Sequence, residues 1–442
     1  MGSQTLPLAP SRLDPLLRPI GAFLAAESAG GILLIVSAVA ALVWANSPWG
    51  DSYEHFWHVE VGFRLGGKLY AMSLEHWVND GLMVVFFLLV GLEIKRELLI
   101  GELTSVRQAS LPVAAAIGGM VVPALIYAAL NHGRAGVAGW GVPMATDIAF
   151  AAGVLTLFGR GLPLSVKVLL LAVAIVDDLG AVLVIALFYT NQVSIVALAA
   201  AGGLFAALVL LNVLRVHGTL PYVILGVGLW IATLFSGIHA TIAGVLLAFT
   251  IPATRQIEEG PYVESVRRML EDFERDATAV PDKITGDQSH ALHVIEAASS
   301  AVQTPLARLE HALLKPVNFV IVPLFALANA GVSLRSTGVS RGGMVMWGVL
   351  LGLVLGKPLG ILAASWAAVK SGVAVLPEGG TWQHVFGLSI LCGIGFTMSL
   401  FVANLAFGEN QELLGAAKVG ILAASLVAAV AGSILLARAR AR

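Results

Sequence analysis

Four ionisable residues interrupt runs that are otherwise apolar. LLLAVAIVDDLGAVLVIALF carries Asp177 and Asp178 side by side, VPMATDIAFAAGV carries Asp147, and GLVLGKPLGILAA carries Lys357. Each charge lies near the midpoint of its run. A charged side chain at bilayer depth is costly and faces a cavity or a partner, so its presence is a functional signal. A buried ion-pair network that only fixed helix packing would use Lys357 and one Asp, leaving two carboxylates over. A carboxylate without a counter-ion at low dielectric keeps its proton unless a cation takes the proton's place. Oxygen ligands suit hard, small cations, and no Cys or His cluster is present to suit zinc or copper. Proton and alkali cation would then compete for the same oxygens, which is the minimum chemistry of an exchanger. Adjacent residues on a helix point about 100° apart, so one of the neighbouring acids can face a cavity while the other faces a helix.

The elements that hold these charges follow from composition. The chain is 58% hydrophobic and 12% charged, against about 25% charged residues in a soluble domain. Runs long enough to cross about 30 Å of hydrocarbon recur along it, so it reads as an all-α polytopic membrane protein embedded in a lipid bilayer. A net charge of −1 points to no nucleic-acid partner, and the single cysteine, Cys392, excludes an intrachain disulfide. Twelve transmembrane helices are expected near 20–46, 74–94, 110–131, 137–159, 165–190, 193–214, 219–234, 237–252, 316–334, 345–368, 384–408 and 412–437. The first is too long for a cleaved signal segment. With the N-terminus inside, cytoplasmic segments hold 19 Lys and Arg and external segments five, so both termini are expected in the cytoplasm. The organisation is then a cytoplasmic segment 1–19, spans one to eight over 20–252, a cytoplasmic loop 253–314, spans nine to twelve over 315–437, and a basic tail 438–442.

Backbone breakers mark two of these spans. The fourth holds Gly141, Pro143 and Thr146 just before Asp147, and the eleventh, LSILCGIGFTMSLF, holds Gly393, Gly395 and Thr397. Breaker-rich spans in corresponding places point to discontinuous helices crossing at a transport site near the midplane, although glycine also serves close helix packing. The two lie seven spans apart, so three-helix units around them would run in opposite directions, as an inverted repeat. Outside the spans, HVEVGFRLGGKLYAMSLEHW alternates about Gly66-Gly67 and reads as a short external β-hairpin over about 58–74. It would set Phe63 against Tyr70, Val61 against Met72 and Val59 against Leu74. VESVRRMLEDFERD in the 253–314 loop reads as a charged amphipathic helix.

Six ordered motifs, NDGLMVVFFLLVGLEIKREL, ATDIAFAAGVL, AIVDDLGAV, VPLFALANAGVSL, GKPLGI and LCGIGFTMSLF, together resemble the bacterial NhaA sodium/proton antiporter family. The likeness runs from about Ser28 to the end of the last span and is weakest over 253–314. It implies a secondary antiporter of the bacterial inner membrane, exporting Na+ or Li+ electrogenically in exchange for H+, pH-regulated and with no cofactor. It further implies cation and proton binding at Asp178 beside Asp177, pairing of Asp177 with Lys357 in one conformation, and charge compensation at the helix crossing by Asp147 and Thr146. Glu93, Lys95, Arg96, Glu97 and His239 would take part in the pH response, and the hairpin would join a homodimer. By residue type alone the Glu93–Glu97 charges fit topology marking at a span end, and His239 fits a satisfied polar residue in a tight turn.

Other function classes meet obstacles in the residues. An intramembrane aspartyl protease needs acids from separate helices with a GxGD-type motif, which neither AIVDDLG nor MATD supplies. An ATP-driven pump needs G-x-x-x-x-G-K-[ST], and Gly356-Lys357 is followed by Pro358. Proton-coupled transport of another small solute is the nearest alternative.

Overall fold

The computed structural model describes residues 29–65, 68–101, 103–159, 161–190, 193–275, 284–333 and 339–439. The segment 1–19, the first residues of the 20–46 stretch, the Gly66-Gly67 turn and the end of the basic tail lie outside them. The described elements are, in order, α1 (Ala29–Asn46), α2 (Gly50–His58), β1 (Glu60–Leu65), β2 (Lys68–Ser73), α3 (Met83–Ile100), α4 (Val106–Leu130), α5 (Ile148–Phe158), α6 (Leu164–Phe188), α7 (Ile195–Val213), α8 (Thr219–Leu234) and α9 (Ile242–Thr250). There follow α10 (Glu259–Arg275), α11 (Gly286–Val302), α12 (Pro305–Pro316), α13 (Val322–Asn329), α14 (Val339–Leu351), α15 (Lys357–Lys370), α16 (Trp382–Leu391), α17 (Phe396–Phe407) and α18 (Gln411–Ala439). The chain is predominantly helical, and its long apolar helices make it a multi-pass membrane protein.

Among the described residues seven helices are long and apolar enough to span a bilayer, or nine if each of two bent pairs counts as one. Three of the twelve expected stretches take another form. The 74–94 stretch opens in a π-helical turn, Trp77–Leu82, and α3 then runs on to Ile100, carrying Glu93, Lys95, Arg96 and Glu97 inside the helix. The 219–234 stretch becomes α8, at about 24 Å somewhat short of the hydrocarbon thickness. The 237–252 stretch yields only α9, nine residues or about 14 Å. Its first residues are spent on a turn in which Gly237 has φ +84°, and Pro252 lies just beyond its end.

The chain divides into two compact units, one of residues 1–59, 107–181 and 322–442 and the other of residues 60–106 and 182–321. In the first, α14 and α16 pack on α18. There α4 and α15 approach so closely that a Cβ on Gly118 would fall 2.6 Å from Ala364 Cβ, a spacing that small residues permit. α15 itself follows a π-helical turn, Gly352–Gly356. Pro358 has no N–H to offer the preceding turn and its ring crowds that turn's carbonyl, so the helix widens immediately before Lys357.

In the second unit α3 packs on α9, and α7 on α8, around Leu92, Leu208, Tyr222, Leu229 and Ala248. β1 and β2 pair antiparallel with Phe63 opposite Tyr70 and Val61 opposite Met72. The third expected pair, Val59 with Leu74, lies beyond the strands because Ser73 caps the next helical turn, its hydroxyl accepting from His76 N–H at 3.2 Å. α10 packs on α11, and the stretch carrying them closes on itself. Gln256 N–H donates to Ala301 O at 3.0 Å, and Leu306 N–H donates to Pro252 O at 3.1 Å.

Candidate ion-binding site

Two broken helices of the first unit meet at Asp147. The 3₁₀ segment Ala135–Met144 gives way at Ala145, and α5 resumes after a 43° bend. α16 stops at Leu391 and α17 resumes at Phe396 after a 46° bend. Pro143 weakens the first segment. In the second, a Cβ on Gly393 would lie 2.6 Å from Leu353 O, so the backbone passes where no side chain fits. A helix break strands N–H and C=O groups, and here each break satisfies part of the other. Asp147 N–H donates to Ile394 O at 2.7 Å, and the Thr146 hydroxyl donates to Cys392 O at 3.0 Å.

The Asp147 carboxylate caps both resumed helices. Oδ1 accepts from Phe150 N–H at 2.9 Å, as N-cap of α5. Oδ2 accepts from Thr397 at the start of α17, from its N–H at 3.0 Å and its hydroxyl at 2.6 Å. A negative group between two helix N-termini offsets the partial positive charge of each.

Lys357 does the opposite work. Its Nζ donates to Met144 O, at the C-terminal end of the 3₁₀ segment, and to Asp177 Oδ2 at 2.6 Å. Lys357 and Asp177 are each 1% exposed. Asp178 follows on α6 and is 0% exposed. Lys357 therefore ties Asp177 to Met144, two residues before Thr146 and three before Asp147 in the same break, with Asp178 buried next to Asp177 on α6.

The remaining residues singled out in the sequence belong to the second unit. Arg96 bonds Glu310 on α12 and, at 3.1 Å, Glu97, and Glu93 lies in the field of the same charges. Lys95 instead closes the C-terminal end of α9, donating to Phe249 O at 2.7 Å and to Ile251 O. His239, in the turn between α8 and α9, bonds Tyr189 O through Nε2. Sequence reasoning misses Glu310, which sits in a stretch that reads as a solvated loop. It registers Thr397 only as part of a break, and nothing in the residue types pairs its hydroxyl with Asp147.

The profile of the family described as Na+/H+ antiporter 1 matches residues 21–436. A protein of Koribacter versatilis (strain Ellin345) named Na(+)/H(+) antiporter NhaA is 51% identical over 428 residues, covering 96% of this chain and 92% of that one. Proteins of the same name from Oleidesulfovibrio alaskensis and Sulfurimonas denitrificans are 50% and 46% identical over 430 and 425 residues, covering 97% and 96% of this chain and 95% and 96% of their own. With the profile matched almost from end to end and relatives near half identity over nearly their whole length, this chain belongs to the NhaA Na+/H+ antiporter family.

Proposed function

We propose that this chain is a secondary antiporter that exports Na+ or Li+ from the bacterial cytoplasm in exchange for H+ and so serves sodium and pH homeostasis. The observation that carries the reading is the buried Lys357–Asp177 pair beside Asp178, set against two helix breaks that partly satisfy each other. Asp178 takes the cation or the proton. Asp177 exchanges its Lys357 partner for a share in the ion, and Asp147 and Thr146 hold the crossing. One proton leaves Asp178 and a second leaves the Lys357 ammonium when Asp177 gives up its pair. Two protons exchanged for one monovalent cation transfer net charge, so the exchange is electrogenic. Glu93, Arg96 and Glu97, with Glu310, form the cluster that responds to pH, together with Lys95 and His239.

In this reading there are twelve crossing segments, counting α3, α8 and α9, with both termini cytoplasmic. The two broken spans sit at corresponding places of an inverted repeat, and 253–314 is a cytoplasmic loop. The test is purified protein in liposomes under an imposed pH gradient. Na+ or Li+ should collapse the gradient and K+ or choline should do so far less. No response at either mildly acidic or alkaline pH overturns the reading.

The same preparation gives a pH prediction. Carboxylates must shed protons to bind a cation, so the apparent KM for Na+ should rise on acidification, by about tenfold per pH unit for each competing proton. A KM constant across pH would mean that the two ions use separate sites.

The hairpin supplies the dimer contact. Val61 is 48% exposed on β1, and an open strand edge is a template for pairing with another chain. Deleting residues 60–73 should leave a monomer in analytical ultracentrifugation while Na+-driven exchange persists. A monomeric parent would refute the contact.

A further inference from the structure

Asp147 is the most fully occupied of the acids at the crossing. Phe150 N–H reaches one oxygen, and the N–H and hydroxyl of Thr397 reach the other. Three hydrogen bonds thus take up most of the roughly four lone-pair directions that a carboxylate has. Two of the donors are backbone groups that any residue would supply. The third, the Thr397 hydroxyl, depends on the side chain, and at 2.6 Å it makes the shortest of the three bonds. Thr397 is itself 3% exposed, and its branched Cβ restricts the hydroxyl to few rotamers.

We propose that Thr397 is a positioning residue whose hydroxyl withholds Asp147 from the transported ions, so that protons and cation exchange at Asp177, Asp178 and Lys357 alone. The inference rests on the antiport reading given above. A lone pair already holding a short hydrogen bond is closed to a cation or a proton. Without the hydroxyl, Asp147 Oδ2 retains a single backbone donor and has room for one further ligand. Besides Asp147, the most deeply buried ionisable groups on the elements at this crossing are Asp177 and Asp178 on α6, Lys357 on α15 and the Cys392 thiol after α16. The same elements also carry Lys167 and Lys370 near the ends of α6 and α15 and His384 on α16, and α18, packed on α17, carries Lys418. An opened Asp147 would therefore enter a site that already trades protons.

The readout is the acid-side slope of log KM for Na+ against pH, measured in liposomes with the full chain. Thr397→Val removes the hydroxyl and keeps the branched shape. Its slope should be steeper than the parent's, approaching a further tenfold per pH unit for one more competing proton. Thr397→Ser, which keeps a hydroxyl, should return the slope to the parent's. Thr397→Val combined with Asp147→Asn should lose the added steepness. If Thr397→Val does not fold, Thr397→Ala lacks the same hydroxyl and is read in the same way. A hydroxyl-free variant with the parent's slope, whatever its rate or melting temperature, overturns the proposal. So does a double variant that stays steep. A parent protein that does not respond to Na+ at all defeats the antiport reading itself, which the parent trace alone decides.

Discussion

Asp178→Asn is expected to abolish Na+-driven exchange in liposomes while the protein still folds and melts close to the parent. The substitution keeps the shape of the side chain and removes its charge at a position that is 0% exposed. A neutral amide is cheaper to bury than a carboxylate, so the fold has little to lose. Binding has much to lose, because a dehydrated alkali cation left without its anion resembles a buried pair broken from one side. Such a break costs about 3–5 kcal/mol, and a loss of that size is more than about 100-fold in affinity. The liposome assay and a detergent thermal-shift measurement on one preparation check both halves. Exchange within a few-fold of the parent would place the cation elsewhere.

Lys357→Ala has the reverse profile, with its main effect on stability. It strands Asp177, whose Oδ2 lies 2.6 Å from Nζ with both side chains 1% exposed. Breaking the pair from one side should cost about 3–5 kcal/mol, whereas removing both charges costs less. Asp177→Asn added to Lys357→Ala should therefore recover part of the lost melting temperature. The recovery stays partial because Met144 O also loses its Lys357 donor, and a buried carbonyl without a partner is penalised in both variants. A thermal-shift series over parent, both single variants and the double closes the cycle. A double variant no more stable than Lys357→Ala alone would remove Asp177 as the partner.

Asp147, Asp177, Asp178 and Lys357 are conspicuous in the sequence because hydrocarbon tolerates so few charges that each one asks for a reason. The two breaks are legible for a related cause. Pro143 and the Gly393–Gly395 pair are residue types that a straight helix disfavours. The choice of Asp177 over Asp178 for Lys357 cannot be read from spacing, since it depends on how α6 is rotated; only the family resemblance names it. The acceptors at Met144, Cys392 and Ile394 are main-chain carbonyls, which any residue type would provide. Glu310 escapes because α12 continues through a π-helical turn, Val317–Ile321, into α13 as one span whose first turns have the composition of a loop. Hydropathy also counts residues without seeing where a turn spends them, which is why 237–252 reads as a span and builds nine residues of helix.

The closed neck at Pro252–Gln256 and Ala301–Leu306 makes the α10–α11 stretch a socket. Chain that leaves and rejoins through a neck of main-chain hydrogen bonds can change length at an entropic cost that grows only logarithmically, about 0.6 kcal/mol per doubling. A rigid soluble domain spliced in place of α10 and α11 would therefore load the neck and not the buried helices. Its helical stems could continue into α12 and fix its orientation. If 253–314 lies outside the bilayer, as proposed above, that socket is a natural mounting point for a fiducial in single-particle imaging.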